Sequence, residues 1–131
     1  MSGSNYLLDT SIVIDALNGD SSIQQHLEET DSRIFMSVIV IGELFFGAYK
    51  SGRVQVNLES IATLLTDYRV LGCNQLTSQH YGQIKQQLMA KGRPIPENDI
   101  WIAATAVQHD FTLVTRDAHF SEITGLLIEQ W

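Results

Sequence analysis

The 131-residue sequence has one cysteine, two prolines and only eight basic residues against fifteen acidic ones. Each scarcity excludes something. A lone Cys73 leaves no intramolecular disulfide and no cysteine-based zinc site within one chain, and fits a reducing, cytoplasmic setting. The formal net charge of −7 argues against a broad, sequence-blind nucleic-acid coat, which needs clustered Lys and Arg. It leaves room for a nucleic-acid enzyme with a local acidic site. No apolar run reaches the ~20 residues that span a bilayer; the longest, Val38 to Tyr49, is interrupted by Glu43. The start, residues 1–5, lacks the basic and apolar regions of a signal peptide. Both prolines, Pro94 and Pro96, fall in one loop.

What is present reads as a single domain over residues 1–131, with strands and helices alternating. Tyr6–Leu8, Ile34–Met36, Val70–Leu71, Phe111–Val114 and Leu126–Ile128 are expected strands. Helices are expected from Thr10 or Ser11 to Leu17, from Ser21 or Ser22 to Glu29, and from Val38 to Lys50, the last with a stripe of Val38, Ile41, Phe45 and Tyr49. Further helices follow over Val54–Tyr68, from a Thr77 cap to Ala90, and from an Asn98 or Asp99 cap to His109. This alternation implies a mostly parallel central sheet with helices on both faces. Ligands of such sheets bind at the carboxyl ends of the strands.

Four carboxylates stand out there. Asp9 directly follows the first strand, and Asp117 follows the fourth after Thr115 and Arg116. Asp99 opens a helix after the proline loop, and Glu43 is the only charge from Val38 to Tyr49. Taken singly, Asp9, Asp99 and Asp117 are equally readable as helix caps. Glu43 can sit on the one solvent-facing stripe of its helix. Taken together, four converging carboxylates repel unless a cation resolves them. Mg²⁺ or Mn²⁺ prefers such oxygen ligands, and a metal of this kind acidifies bound water and screens phosphate.

The strings Leu7–Asp15, Ser37–Leu44, Asn98–Ala104 and Leu113–Phe120, in that order, resemble the PIN-domain family, and within it the VapC-type toxins of bacterial toxin–antitoxin modules. The resemblance implies a three-layer α/β/α sandwich and a Mg²⁺- or Mn²⁺-dependent endoribonuclease leaving a 3′-hydroxyl and a 5′-phosphate. It places Asp9, Glu43, Asp99 and Asp117 at the acidic positions and Ser11 and Thr115 at small polar positions beside them. Glu97 and Asn98 adjoin Asp99, so that alignment can slip. Asp9, Asp99 and Asp117 are the expected metal holders, and Glu43 either completes the site or orients the attacking water. The resemblance further implies an RNA substrate, a VapB-like antitoxin that wraps the toxin, and a homodimer. Lys91, Arg93 and Arg116 are candidate RNA contacts, and Phe45, Phe46 and Tyr49 candidate walls of a partner groove.

Asp15 reads as a solvated helix position, Cys73 as an inert buried thiol, and Trp101 as a packing residue. His26, His80, His109 and His119 show no pair at metal spacing, and packing or capping is the expected role of His119. A structure-specific DNA nuclease, a receiver-like signalling domain and a PIN-like binding module without catalysis are the competing readings. No Lys after Lys91 and a Ser at position 11 weigh against receiver and aspartyl-phosphatase chemistry.

Overall fold

A computed structural model describes residues 5–131; of the leading segment read above for a signal peptide, residues 1–4 lie outside them. The first strand, β1 (Asn5–Leu8), leads through α1 (Thr10–Leu17) and α2 (Ser21–Glu29) to β2 (Arg33–Ser37). Next come α3 (Val38–Tyr49), α4 (Val54–Asp67) and β3 (Arg69–Leu71), then α5 (Gln75–Ala90) and α6 (Glu97–His109). The chain closes with β4 (Thr112–Val114), a short 3-10 turn (Ala118–Glu122) and β5 (Leu127–Glu129).

The strands form one sheet in the order β3-β2-β1-β4-β5, and every pairing is parallel. Parallel neighbours require crossovers, and right-handed crossovers in opposite directions put helices on opposite faces. The steps from β1 out to β3 carry α1–α4, and the return across the sheet to β4 carries α5 and α6. The result is the expected α/β/α sandwich. Central strands covered on both faces bury consecutive side chains, as Leu7 and Leu8 in β1 and Leu113 and Val114 in β4 do. Strands are added toward one edge from β1 to β3 and toward the other from β4 to β5, so the crevice at the carboxyl ends of β1 and β4 is the switch point of the sheet.

Local chemistry sets the ends of the elements, and several differ from expectation. Asp9, not Thr10 or Ser11, caps α1, and Asp20, not a serine, caps α2. The α5 cap is Asn74, and Thr77 is its reciprocal partner three residues on, completing a capping box. Helix α6 starts a turn early, with Pro96 before its first residue, so Asn98 and Asp99 lie inside the first turn and cap nothing. Its far end turns at Asp110 in the left-handed region (φ 58°), a conformation Asp tolerates better than most residues.

The buried stripe of α3 also differs. Val40, Ile41, Leu44 and Ala48 face the core, while Val38, Phe46 and Tyr49 are exposed and Phe45 is half-buried. Cys73 is exposed rather than buried. Partial desolvation still pushes its thiol up, so thiolate is scarce at neutral pH. Among the described residues no helix is long and apolar enough to cross a membrane.

Candidate active site

Asp9 sits where β1 becomes α1. Its backbone N–H continues the sheet by donating to Val114 O at 2.9 Å, which fixes its place beside β4. Its side chain turns inward and is only 4% exposed. Oδ1 accepts the Thr10 N–H at 2.8 Å. Oδ2 accepts the Thr115 hydroxyl at 2.8 Å and the Ser11 hydroxyl at 3.3 Å. Both small polar residues singled out in the sequence therefore hold the same carboxylate. Burial raises the pKa of Asp9, and the nearby charge of Asp99 adds to it; the three hydrogen bonds oppose this in part. The carboxylate is thus held in place and short of positive charge.

Thr115 extends the connection. While its hydroxyl donates to Asp9, its oxygen accepts the Asp117 N–H at 3.0 Å. Asp117 caps the 3-10 turn by accepting the His119 N–H at 3.1 Å. The His119 ring then lies between two acids, with Nδ1 2.7 Å from Asp117 Oδ1 and Nε2 2.8 Å from Asp99 Oδ2. On the other side, Thr10 donates its hydroxyl to Glu43 Oε1 at 2.8 Å. Glu43, Thr10, Asp9, Thr115, Asp117, His119 and Asp99 form one continuous chain of contacts drawn from α3, α1, the β4 end and α6.

All four predicted carboxylates join this chain of contacts, but Asp9 and Glu43 do so through Thr115 and Thr10. Of the three expected metal holders, Asp99 and Asp117 are the two that stand at single-cation spacing, with His119 as the third member. Glu97 does not join the chain: it pairs with Lys85 at 2.6 Å and accepts from Tyr81 at 2.8 Å, on the α5 side of α6. Of these neighbouring acids, Asp99 is the one that reaches His119. His119 is the residue that sequence reasoning missed. Its partners are two and twenty positions away, so no helical spacing betrays it; an Asp-x-His string at a strand end was the only signal. One ligand atom from each of Asp99, Asp117 and His119 lies within 4.8 Å of the others, a spacing a single cation can bridge. The donors are chiefly oxygen, which suits Mg²⁺ and Mn²⁺, and the imidazole nitrogen favours the transition ion of the two.

The basic candidates separate. Arg116 lies in a clamp: Nη1 meets Asp20 at 2.9 Å and Asp15 at 3.3 Å, and Nε donates to Trp131 O at 2.7 Å. Its charge is engaged within the protein, and Asp15 is an ion-pair partner rather than merely solvated. Lys91 donates to Glu122 O at 2.6 Å, while Arg93 is exposed. Trp101 stacks on Tyr81 at 4.1 Å between centroids, in keeping with packing.

The clamp makes a stability prediction. Arg116→Gln is expected to lower the thermal midpoint at neutral pH, followed by circular dichroism. Asp20 is held below its usual pKa chiefly by its hydrogen bond to Arg116. A depressed folded pKa gives stability that is present above the ordinary carboxylate value and lost as pH falls through the depressed one. The gap between wild type and variant therefore closes in acid.

A topologically central crevice, lined by carboxylates from four chain segments, is a nuclease-like arrangement, and sequence comparison gives its class. The PIN domain profile matches residues 6–126, and the chain belongs to the PIN-domain family. Within that family it is of the VapC type. It is 33% identical to Ribonuclease VapC1 of Haemophilus influenzae (strain R2866), over 96% of this chain and 97% of that one. It is 30% identical to the tRNA(fMet)-specific endonuclease VapC of Shigella flexneri, with the same coverages. Among solved structures, VapBC2 from Rickettsia felis bound to a DNA fragment from their promoter superposes with a TM-score of 0.92 at 31% identity, covering 96% of this chain and 98% of the other. VapBC-1 from nontypeable Haemophilus influenzae gives 0.88 at 32% identity, covering 96% and 97%.

Proposed function

We propose that the protein is a Mg²⁺- or Mn²⁺-dependent endoribonuclease, the toxin of a VapBC-type pair. The observation that carries this reading is the run of contacts linking Glu43, Asp9, Asp117 and Asp99 at the switch point of the sheet. Its oxygen-rich donor set and the raised pKa of Asp9 fit a divalent cation. Asp9, Asp99 and Asp117 would hold that cation, which when bound supplies positive charge to the scissile phosphate and acidifies water.

The chain's own groups do the rest. Thr115 and Ser11 fix Asp9 Oδ2, so the first ligand needs little reorganisation. His119 holds Asp99 and Asp117 at ligand spacing. Thr10 anchors one oxygen of Glu43, leaving the other to accept a proton from the attacking water. In-line attack on an RNA phosphodiester would then break the P–O3′ bond, the departing 3′ oxygen taking a proton from solvent, and leave a 3′-hydroxyl and a 5′-phosphate. Among the described residues, exposed Arg93 is the basic candidate free to meet phosphate, since Lys91 is engaged by Glu122 O and Arg116 by Asp15 and Asp20.

The named relatives and the VapBC complexes support a VapB-like antitoxin as partner. Exposed Tyr49, stacked on half-buried Phe45 with ring centres 6.3 Å apart, gives it an apolar contact on α3, and exposed Phe46 stands on the Glu43 side of that helix. A homodimer and a cytoplasmic location complete the reading.

The test is incubation of antitoxin-free protein with end-labelled RNA and DNA, with Mg²⁺, with Mn²⁺ or with EDTA. RNA cleavage that EDTA abolishes is expected. Cleavage of DNA alone points to the structure-specific DNA nuclease, and no cleavage of either points to a binding module.

A further inference from the structure

A trough of about 720 Å³ opens directly beside Thr10 and Glu43 and runs over α3 to the first turn of α6. That volume lies within the ~300–1,000 Å³ of sites that take small ligands. Gly42 and Gly47 contribute no side chain to its surface, and a Cβ at either would meet nothing within 4 Å, so the trough is open there. Phe46, 65% exposed, forms one wall. The Lys50 ammonium lies over one face of that ring, 4.8 Å from its centre, so a stacking base would take the other face or displace it toward a phosphate. Asn98, exposed and adjacent to Asp99, also lines the trough.

These groups differ in chemistry in a way that matches one ligand. A flat aromatic face, an ammonium and a primary amide suit, respectively, the face of a base, a phosphate and the hydrogen-bonding edge of a base. An apolar peptide would use the ring but leave the ammonium and amide without partners. We propose that this trough is a nucleotide subsite, in which an unpaired base of the substrate stacks on Phe46, Lys50 meets a flanking phosphate, and Asn98 reads the base edge next to the scissile bond. This rests on the ribonuclease reading above. It places sequence preference in α3 and the start of α6, beside the carboxylates, and it selects single-stranded segments because a paired base cannot enter.

The experiment pairs cleavage with binding. Steady-state cleavage of a short single-stranded RNA by wild type is compared with Phe46→Leu, Phe46→Trp and Asn98→Ala. Binding of the same labelled RNA is measured by anisotropy in an Asp9→Asn background. Phe46→Leu is expected to raise KM and weaken binding about tenfold, with Phe46→Trp restoring both, since stacking is tolerant of which ring supplies the face. Asn98→Ala is expected to broaden the cleaved sequences while thermal stabilisation by Mn²⁺ stays unchanged. If wild type cuts RNA but Phe46→Leu keeps the wild-type KM and affinity, the subsite is overturned and the ribonuclease reading stands. If wild type neither binds nor cuts RNA, both fall. A KM change that tracks a change in oligomeric state by light scattering, or loss of antitoxin binding with RNA affinity intact, assigns Phe46 to a protein interface and overturns the subsite.

Discussion

Asp9→Asn is expected to reduce RNA cleavage by at least about 10³-fold, equivalent to roughly 4 kcal/mol of barrier, while leaving the fold intact. The substitution preserves size and one acceptor, so the Thr10 N–H keeps its partner. It removes the charge toward which Thr115 and Ser11 donate and which the proposed cation site would use. The stability outcome is the more discriminating one. Burial raises the pKa of Asp9, so its ionised form is a cost to the cation-free protein at neutral pH. A raised folded pKa gives a contribution that is fully present below the ordinary carboxylate value and lost as pH rises through the folded one. The midpoint of wild type minus that of Asp9→Asn should therefore fall as pH rises from about 3.8 through the raised value. Thermal melts across that range in EDTA measure this. A normal cleavage rate in the variant, with the same cation dependence, would sink the assignment of Asp9.

The second large effect is a cation-dependent gain in stability that needs no substrate. A ligand that binds only the folded state at 100 times its dissociation constant adds about 2.7 kcal/mol. For a domain of this size that is a rise in thermal midpoint on the order of 8 °C. Mn²⁺ and Mg²⁺ are each expected to produce such a rise in wild type and to lose most of it in Asp99→Asn and Asp117→Asn. EDTA should return wild type to its starting midpoint. His119→Ala is informative beside them. It removes the nitrogen between the two acids but no carboxylate, so the rise should survive with Mg²⁺ and shrink more with Mn²⁺, which accepts imidazole more readily. An identical midpoint with and without either cation would overturn the metal reading whatever the cleavage assay showed.

The residues that sequence reading located best are those whose role is local. Asp9 follows an apolar run too short for a helix, so the strand end and its carboxylate were visible together. Glu43 was visible as a lone charge in an apolar helix. Its actual surroundings, the Thr10 hydroxyl and an open trough, were not. The stripe of α3 was misread because that helix is apolar nearly all round, so periodicity gives no strong preference between one face and the next. Packing against the sheet chose Val40 and Leu44 and left Phe46 and Tyr49 outside. Arg116 looked like a rim residue because its neighbour is Asp117. Its partners, Asp15, Asp20 and Trp131, are distant in sequence, and only the fold brings them near. His119 was passed over for the same reason, since half of its environment arrives on α6. The α6 start was displaced because Pro96 takes the boundary position and the three polar residues after it fall within the helix.

The hydroxyl that closes on Asp9 comes from Thr115, 106 positions further along the chain. A growing polypeptide that has reached only α6 carries Asp9, Glu43 and Asp99 but neither Thr115 nor Asp117. Its first carboxylate lacks its closing hydrogen bond, and β4, beside which Asp9 docks, has yet to be made. For a protein that cuts RNA while being made on RNA, the order of the strands is itself a safeguard. The proposed site cannot be assembled from a partial copy, because Thr115 and Asp117 are made after the other three carboxylates.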